Sequence, residues 1–388
     1  MAVVIRNAKV FRAEDCDFSL GDVWVRDGVI AAVTEGRPLD IPASEPVEVI
    51  DAAGACLIPG LVDVHTHGRA GADFTTAREE DLVRMAKSYL ASGVTTLLPT
   101  LASAPLADLQ RAIEGIEAFR RKGDMPGCAR FAGVHLEGRY LNPSKRGAHA
   151  PHLLTGPNAE EAVELLTACG GARHISAALE MEGGQELLKR MTDIGATVGL
   201  GHTAATYAEA MAAIEGGAVS MTHLFNAMPP LHHRDGGAVC AGLVTPRVYC
   251  ELICDGFHIA PEMVKLAFRM KGDHLTLITD SMEATDCADG EYAIAGMPVI
   301  VKDGKARTID GAIAGSTLSL WDGVKNLQAF AGATLGEAVY AATAAPARQV
   351  GIYHEVGSIE MGKRADLLLL DEACENVAKV MCGGKFLN

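Results

Sequence analysis

Between Leu61 and Asp280 the chain has eight short apolar runs, and longer helical segments lie between them. Short apolar runs that alternate with helices are typical of parallel strands, because helices cover both faces of such a sheet. Eight strand–helix units predict a closed (β/α)8 barrel, and an open doubly wound sheet is the alternative. The eight predicted strands are residues 61–65, 94–99, 131–137, 174–179, 196–202, 218–223, 249–254 and 274–280.

The two ends of the chain have a different pattern, in which apolar and polar residues alternate as in antiparallel strands. Near the N-terminus, Asp27-Gly28 lies between two such runs and predicts a tight hairpin turn. We therefore expect an α/β protein in which residues 1–56 and 356–388 pair into a small β-sandwich beside a TIM-type barrel at 57–355. Within the barrel, residues 285–312 predict a β-hairpin insertion, and helices follow from about Thr317.

The formal net charge of −15 argues against nucleic acid or an anionic membrane as a partner. An anionic substrate would need a local positive pocket that opposes this overall field. The sequence has no signal-peptide pattern at its N-terminus and no apolar run of the ~18 residues that a membrane span needs. Its ten cysteines include no CxxC pair or regular spacing, so we expect reduced thiols in a cytoplasmic protein rather than a zinc ribbon or a disulfide framework.

Side chains that can bind a metal follow the predicted strands, and in a barrel the carboxyl ends of all strands meet at one face. Each has an ordinary alternative explanation, since Glu137 could be a turn residue and Asp280 a helix cap. Their shared position instead predicts one centre for a divalent ion, and imidazole with carboxylate suits Zn²⁺ or Fe²⁺. Six such side chains fall at or just beyond five strand ends: His65, His67, Glu137, His202, His223 and Asp280.

The stretch HLFNAMPPLHHRDGG at 223–237 contains three histidines, although the whole chain has only 13. His223 ends a predicted strand and is the metal-ligand candidate. For His232 and His233 we expect a loop role, either packing or the positioning of Arg234.

Five stretches together resemble the N-acetylglucosamine-6-phosphate deacetylases of the amidohydrolase superfamily: LIPGLVDVHTHG, VHLEG, LGHTAAT, HLFNAMPPLHHRDGG and LITDSMEA. The resemblance spans nearly the whole chain, and 223–237 is its most specific part. The HxH pair and the late GxIxxGxxADLLLLD pattern are shared across the superfamily. The resemblance implies a barrel with a small β-sandwich built from both termini, which agrees with the strand pattern.

The resemblance also implies a role for each matching residue. Glu137, His202 and His223 would bind one metal, His65 and His67 would support a second, and Asp280 would be the catalytic acid and base. The family binds a phosphorylated amino sugar as a homodimer, in which Arg234 would reach the phosphate in the neighbouring subunit. His258 would also bind phosphate, and His149 would assist at the substrate carbonyl. The substrate contacts implied are Ala148, His149, Asn226, Ala227, Arg234, His258, Ile313, Ala314 and Gly315.

The activity implied is metal-dependent hydrolysis of the N-acetyl group of N-acetylglucosamine 6-phosphate, which yields glucosamine 6-phosphate and acetate in amino-sugar catabolism. A divalent ion, one or two per chain, would activate water and polarise the carbonyl. Asp280 would take the proton of that water and deliver it to the departing nitrogen.

Two stretches depart from the family pattern and keep alternatives open. Arg139-Tyr140 stands where the family commonly has Pro-Phe, and ISAALEMEGG lacks the usual Thr-x-Ala-Pro-Glu run. The first lies on a substrate loop, so deacetylation of N-acetylgalactosamine 6-phosphate is one alternative. A cyclic amidase or deaminase is another, but Glu137 stands where cyclic amidases usually have a carboxylated lysine. An inactive interaction protein would typically lose metal ligands, and a carbohydrate-binding module would need more than two tryptophans.

Overall fold

A computed structural model gives the structure of residues 2–40 and 46–387. Its strands are β1 (Ala2–Arg12), β2 (Asp17–Arg26), β3 (Val29–Val33), β4 (Val47–Asp51), β5 (Cys56–Pro59), β6 (Leu61–Thr66), β7 (Gly68–Arg69), β8 (Ala72–Asp73), β9 (Val94–Leu101), β10 (Arg130–Phe131), β11 (Gly133–Glu137), β12 (Ala172–Ala177), β13 (Thr197–Leu200), β14 (Ser220–Met221), β15 (Tyr249–Ile253), β16 (Leu275–Ile278), β17 (Gly290–Ile294), β18 (Met297–Lys302), β19 (Lys305–Thr308), β20 (Leu367–Leu370), β21 (Val377–Cys382) and β22 (Lys385–Phe386).

The α-helices follow the barrel strands and then continue between β19 and β20. They are α1 (Glu79–Ala91), α2 (Leu106–Arg120), α3 (Ala159–Thr167), α4 (Gly184–Asp193), α5 (Tyr207–Glu215), α6 (Gly237–Val244), α7 (Pro261–Lys271), α8 (Leu320–Ala331), α9 (Leu335–Ala341) and α10 (Ala344–Gln349). Within residues 2–40 and 46–387, no helix combines the length and the hydrophobicity that a bilayer crossing needs.

Eight parallel strands form a nearly closed barrel, in the order β6, β9, β11, β12, β13, β14, β15 and β16. The seam between the last strand and the first is joined just beyond β16. There the Asp280 N–H donates to the His65 carbonyl oxygen at 2.9 Å, and the His67 N–H donates to that of Ser281 at 2.8 Å. The predicted barrel is confirmed, and the open doubly wound sheet is wrong.

Strands from both termini form one further sheet, in the order β22, β21, β20, β5, β1, β2, β3, with β4 also paired to β1. β5 joins the two halves, because it pairs with β1 in parallel and with β20 in antiparallel orientation. At the β2–β3 turn, Asp27 and Gly28 have φ of 51° and 83°, the left-handed values that a two-residue hairpin of this kind requires. The predicted terminal β domain and its hairpin turn are confirmed.

The insertion after β16 is a three-stranded antiparallel sheet, β17–β18–β19, and so has one strand more than the predicted hairpin. Asp303-Gly304 forms its second turn, and Ala295-Gly296 forms a first turn that the sequence pattern does not announce. One face of the insertion is apolar and packs against the segment that follows Asp280. The segment contributes Met282 and Ala284 to this contact, and the insertion and the residues after it contribute Ile294, Val299, Val301, Ala306 and Ala314. The insertion therefore lies against the carboxyl end of the last barrel strand.

Candidate metal centre and substrate cavity

Glu137, the last residue of β11, is the buried hub of a cluster of imidazoles. Its Oε1 lies 2.9 Å from His223 Nε2 and 3.4 Å from His202 Nε2. Its Oε2 lies 2.9 Å from His67 Nε2 and 3.3 Å from His65 Nε2. The two carboxylate oxygens thus face two separate pairs of histidines.

Asp280 completes the half of the cluster that contains the HxH pair. Its Oδ1 lies 3.3 Å from His67 Nε2 and 3.7 Å from His65 Nε2. The ligand atoms of His65, His67 and Asp280 all lie within 4.8 Å of one another. All six side chains that the sequence singled out as metal-competent are therefore brought together.

The donor set of this cluster fits a divalent cation. His202 Nε2 and His223 Nε2 face each other at 3.0 Å, and the buried Nε2 of His65 has no hydrogen-bond partner in the part of the chain that the structure describes. Buried imidazole nitrogens that converge on carboxylate oxygens in this way are the ligands that Zn²⁺ and similar ions take in proteins. We conclude that the residues present are able to hold a divalent metal.

The outer ring nitrogens fix which nitrogen of each imidazole faces the centre. His202 Nδ1 lies 2.7 Å from the Lys145 carbonyl oxygen, and His65 Nδ1 lies 3.1 Å from Glu251 Oε2. A carbonyl or a carboxylate only accepts a hydrogen bond, so both Nδ1 atoms carry the proton. Nε2 of each ring is therefore the nitrogen that faces the centre and would bind a cation there.

His149 has the opposite arrangement, although it lies close enough to be grouped with Glu137 and His202 as a ligand. Its Nδ1 accepts a hydrogen bond from the Ser103 backbone N–H at 3.3 Å and contacts the Ser103 hydroxyl at 2.9 Å. Burial and the charge of His202 lower the pKa of His149 to about 3, so the ring is neutral and Nε2 carries its proton. His149 is therefore a hydrogen-bond donor toward the centre rather than a ligand.

Three of the clustered residues have left-handed backbone conformations. His202, His223 and Asp280 have φ of 47°, 31° and 48°. Each lies two residues beyond the last residue of its strand, although the sequence pattern placed each at the strand end. Non-glycine residues in this region cost on the order of 1–3 kcal/mol and are found where packing and function hold them.

Charges within the cluster keep both carboxyl groups ionised. Burial alone would raise the pKa of Glu137, but the charge of His65 and hydrogen bonds from His202 and His223 hold it well below its usual range. Burial likewise opposes ionisation of Asp280, and its hydrogen bond with His67 lowers the pKa of this carboxyl below the usual value. Asp280 is thus able to accept a proton.

A cavity of about 280 Å³ opens directly above the cluster. Its volume is close to the lower end of the ~300–1,000 Å³ range of small-molecule sites, which suits a ligand of monosaccharide size. Its walls come from the carboxyl ends and following loops of six barrel strands, β6, β11, β13, β14, β15 and β16, and from the insertion after β16. The lining residues are His67, Glu137, Gly147, Ala148, His149, His202, His223, Asn226, Ala227, His258, Asp280, Ile294, Ala312, Ile313 and Gly315.

Three residues expected at the site do not line this cavity. His65 is fully buried beneath it, and Ala314 packs into the apolar core of the insertion sheet. Arg234 lies on an exposed loop, where its guanidinium donates to His233 Nε2 at 2.7 Å and its backbone N–H donates to His232 Nδ1 at 3.3 Å. These contacts fit the expected loop role of His232 and His233, and Arg234 does not contribute to the lining of its own chain's cavity.

The departure at Arg139-Tyr140 faces away from the cavity. Arg139 Nε donates to Glu161 Oε1 at 2.8 Å, and the Tyr140 hydroxyl donates to the same oxygen at 2.9 Å. Glu161 belongs to α3, so both side chains tie the loop after β11 to the outer helix layer. The expectation that this departure bears on the choice of sugar is not supported by its position.

Sequence reasoning missed some residues of the site. Gly147, Ile294 and Ala312 line the cavity, and no pattern marks them as lining residues. Glu251 is a buried acid within the apolar run YCELIC, and an acidic residue inside a predicted buried strand is a sequence signal that could have identified it. Ser103 follows β9 and contacts His149.

Comparison with known proteins shows what the chain is similar to. The amidohydrolase family profile matches residues 56–387. An N-acetylgalactosamine-6-phosphate deacetylase of Escherichia coli O157:H7 is 36% identical over 89% of this chain and 89% of its own length. An N-acetylglucosamine-6-phosphate deacetylase of Vibrio furnissii is 34% identical over 90% of this chain and 88% of its own length.

Solved structures that are similar to this chain carry the same enzyme name as the Vibrio furnissii relative. The N-acetylglucosamine-6-phosphate deacetylase of Thermotoga maritima has a TM-score of 0.87 and 33% identity, and the match covers 99% of each chain. A mutant of the Mycobacterium smegmatis enzyme in complex with N-acetyl-D-glucosamine-6-phosphate has a TM-score of 0.88 and 31% identity, over 100% of this chain and 98% of that one.

Proposed function

Because the chain belongs to the amidohydrolase family, we propose that its cluster and cavity carry out one reaction, the hydrolysis of N-acetylglucosamine 6-phosphate to glucosamine 6-phosphate and acetate. The observation that carries this proposal is the convergence of five histidines and two carboxylates beneath a cavity of monosaccharide size. Relatives of this enzyme class match nearly the full length of the chain. The chain is thus a deacetylase that acts on the amide of an N-acetylated amino-sugar phosphate.

Glu137, His202 and His223 would hold one divalent metal, and His65 and His67 with Asp280 would hold a second. The chemistry that such a cation supplies when bound is Lewis acidity, which polarises the acetyl carbonyl and makes a water molecule more acidic. We propose Zn²⁺ or Fe²⁺ at one or two sites per chain, since imidazole and carboxylate ligands suit both ions.

Asp280 would move the proton in this reaction. Its ionised carboxylate faces the cavity from beyond β16, where it is able to accept a proton from the attacking water. Breaking the amide bond leaves an amine that needs a proton, and the same carboxyl group would deliver it. His149 Nε2–H would donate to the carbonyl oxygen as negative charge develops on it, because Ser103 holds the ring in that tautomer.

Substrate binding would use the rest of the cavity wall. His258 Nδ1 lies 2.7 Å from Asp255 Oδ2, and this contact holds the ring at the cavity wall, where it would meet the phosphate. Asn226 donates from Nδ2 to the His223 carbonyl oxygen at 3.2 Å, which fixes its amide above the centre. Ala148, Ala227, Ile313 and Gly315 would close around the sugar, with Ala314 holding the backbone between the last two.

We propose that Arg234 serves the cavity of a second subunit in a homodimer. Its exposed position outside its own cavity and its contacts with His232 and His233 support this arrangement. A planar guanidinium binds two phosphate oxygens at once, which would offset the net charge of −15 near the site. We also propose a cytoplasmic location, which the ten cysteines, present as thiols, support.

The test is an acetate-release assay with N-acetylglucosamine 6-phosphate, N-acetylgalactosamine 6-phosphate and unphosphorylated N-acetylglucosamine. We expect the gluco phosphate to have the highest kcat/KM and the chelator-treated protein to be inactive until metal is restored. The galacto epimer is the second candidate, since a deacetylase of that name is 36% identical to this chain. Equal kcat/KM for the phosphorylated and unphosphorylated sugars would overturn the phosphate assignment.

A further inference from the structure

Glu251 is a fully buried carboxylate in the middle of β15, one layer beneath the metal centre. It does not line the substrate cavity, and the reaction described above gives it no role. A buried carboxylate is costly unless hydrogen bonds satisfy it, so its partners indicate what it does.

One carboxylate oxygen of Glu251 contacts both halves of the centre. Oε2 accepts a hydrogen bond from His65 Nδ1 at 3.1 Å and from the backbone N–H of His223 at 3.3 Å. His65 belongs to the HxH half, and His223 belongs to the half with His202. The same atom therefore sets the ring tautomer of one ligand residue and supports the left-handed backbone of another.

The other carboxylate oxygen, Oε1, is held by residues outside the metal centre. Oε1 accepts a hydrogen bond from Gln349 Nε2 at 2.6 Å, and His174 Nε2 lies 3.6 Å away. Gln349 is the last residue of α10, and its own buried Oε1 has no hydrogen-bond partner among residues 2–40 and 46–387. Among the described residues, the Gln349 amide thus hydrogen-bonds only to Glu251, and this contact orients the Glu251 carboxylate.

We propose that Glu251 is a positioning residue for the metal centre, which fixes His65 in the Nδ1–H tautomer and couples the two halves of the centre, with Gln349 as its orienting partner. Without a carboxylate at this position, His65 would lose the acceptor that keeps its Nε2 lone pair directed at the cation. The inference deepens the proposed function, since it rests on the metal centre that this function requires.

The first experiment uses the unmodified, metal-free protein labelled with ¹⁵N in its histidines. Long-range ¹H–¹⁵N correlation spectra distinguish the two tautomers of each ring, and loss of one set of signals in His65→Gln assigns His65. We expect His65 to carry its proton on Nδ1. A ring that carries its proton on Nε2 alone would overturn the proposal, and this measurement needs no variant at position 251.

The second experiment measures Zn²⁺ affinity by competition with a chromophoric chelator. Outer partners of ligand histidines typically contribute about 10- to 100-fold to metal affinity. We therefore expect Glu251→Gln to weaken Zn²⁺ binding at the site that includes His65 by that factor. The exchanged pair Glu251→Gln/Gln349→Glu keeps every donor facing an acceptor, so we expect it to recover most of the affinity and the Nδ1–H signal. Wild-type affinity and an unchanged His65 signal in Glu251→Gln would contradict the proposal.

Glu161→Gln is the matched control, because it makes the same substitution at a glutamate whose partners, Arg139 and Tyr140, lie away from the centre. We expect this control to lower the melting temperature and to leave Zn²⁺ affinity and the His65 signal unchanged. If Glu251→Gln fails to fold, the exchanged pair and the unmodified protein decide the question. Both measurements are made without sugar, so an error in the proposed substrate would not affect their outcome.

Discussion

At the scale of single residues, the two ring nitrogens divide the histidines of the centre into ligands and a donor. His65 and His202 each donate from Nδ1 to an oxygen that only accepts, and so leave Nε2 as the nitrogen that would bind a cation. His149 accepts at Nδ1 from a backbone N–H and so presents a proton. Residues of one chemical type therefore have opposite roles within a few ångströms, and the neighbours of the outer nitrogen decide which.

Asp280→Asn tests the proton-transfer role directly. The amide is close in size to the carboxylate but accepts no proton, so we expect kcat to fall by at least the ~10²–10⁴-fold that general acid–base catalysis contributes. Glu137, His202 and His223 are unchanged, so the metal that these three residues would hold should be retained. Elemental analysis beside the acetate assay checks both; complete loss of metal would make Asp280 chiefly a ligand.

His149→Gln tests the donor role. We expect kcat to fall by about 10²–10³-fold, the usual loss when one donor to a developing oxyanion is removed. Zn²⁺ affinity should stay within a few-fold of the wild type, because His149 presents a proton rather than a lone pair. His202→Ala is the contrasting variant, in which metal and activity should be lost together. A His149→Gln protein that cannot bind metal would refute the tautomer argument.

The residues of the cluster could be predicted from sequence, whereas the residues that support them could not. Each predicted ligand follows an apolar run, and barrel geometry then brings the run ends together without any knowledge of long-range contacts. Glu251 meets His65 across 186 positions, and nothing local to either residue indicates that contact. The two extra residues between strand and ligand were also hidden, since the left-handed conformations of His202, His223 and Asp280 depend on tertiary packing.

At the scale of elements, the insertion β17–β19 and the segment after it line one side of the cavity and contact Asp280. The Ser316 N–H donates to the Asp280 carbonyl oxygen at 2.7 Å, and Gly315 has φ of 64°. A Cβ built on Gly315 would lie 3.0 Å from that carbonyl oxygen and 3.2 Å from Met282 Cβ. The backbone at Gly315 therefore lies so close to the Asp280 loop that a side chain at this position would be crowded.

Gly315→Ala and Gly311→Ala separate this close approach from backbone strain. Both positions have positive φ, at 64° and 89°, so both variants should lose about 1–2 kcal/mol of folding free energy. A Cβ at Gly311 meets no atom within 4 Å, so only Gly315→Ala should also displace Asp280 and lower kcat. Denaturant unfolding and acetate release measure the two effects; equal kcat in both variants would show that the contact does not matter.

The number of strands in the insertion shows the limit of turn recognition. Asp303-Gly304 is a familiar hairpin signal, and the strands on either side of it could be predicted. Ala295-Gly296 adopts the same left-handed pair of conformations, at 44° and 79°, without a residue type that favours them at the first position. One turn could therefore be predicted from the sequence. The other could not, because it is defined by the pairing of β17 with β18 rather than by its residue types.

At the scale of the whole molecule, the position of Arg234 predicts complementation between inactive chains. Arg234→Ala and Asp280→Asn should each be nearly inactive alone. In a mixed dimer, the chain with Arg234→Ala keeps its Asp280 and would receive Arg234 from its partner. Random mixing makes about half the dimers mixed with one intact site of two, so activity should return to about a quarter of the wild type. No recovery after verified subunit exchange would place Arg234 in its own chain's site.

The pairing of β5 with both termini has a consequence for how the chain is made. β1 to β5 leave the ribosome first, but the Leu367–Leu369 segment that pairs with Leu57–Pro59 follows about 300 residues later. At the ~5–20 residues per second of translation, the nascent chain carries an unpaired β5 edge for roughly 15 to 60 s. An open apolar edge invites pairing with other chains, so synthesis has a vulnerable interval that ends only with the last strands.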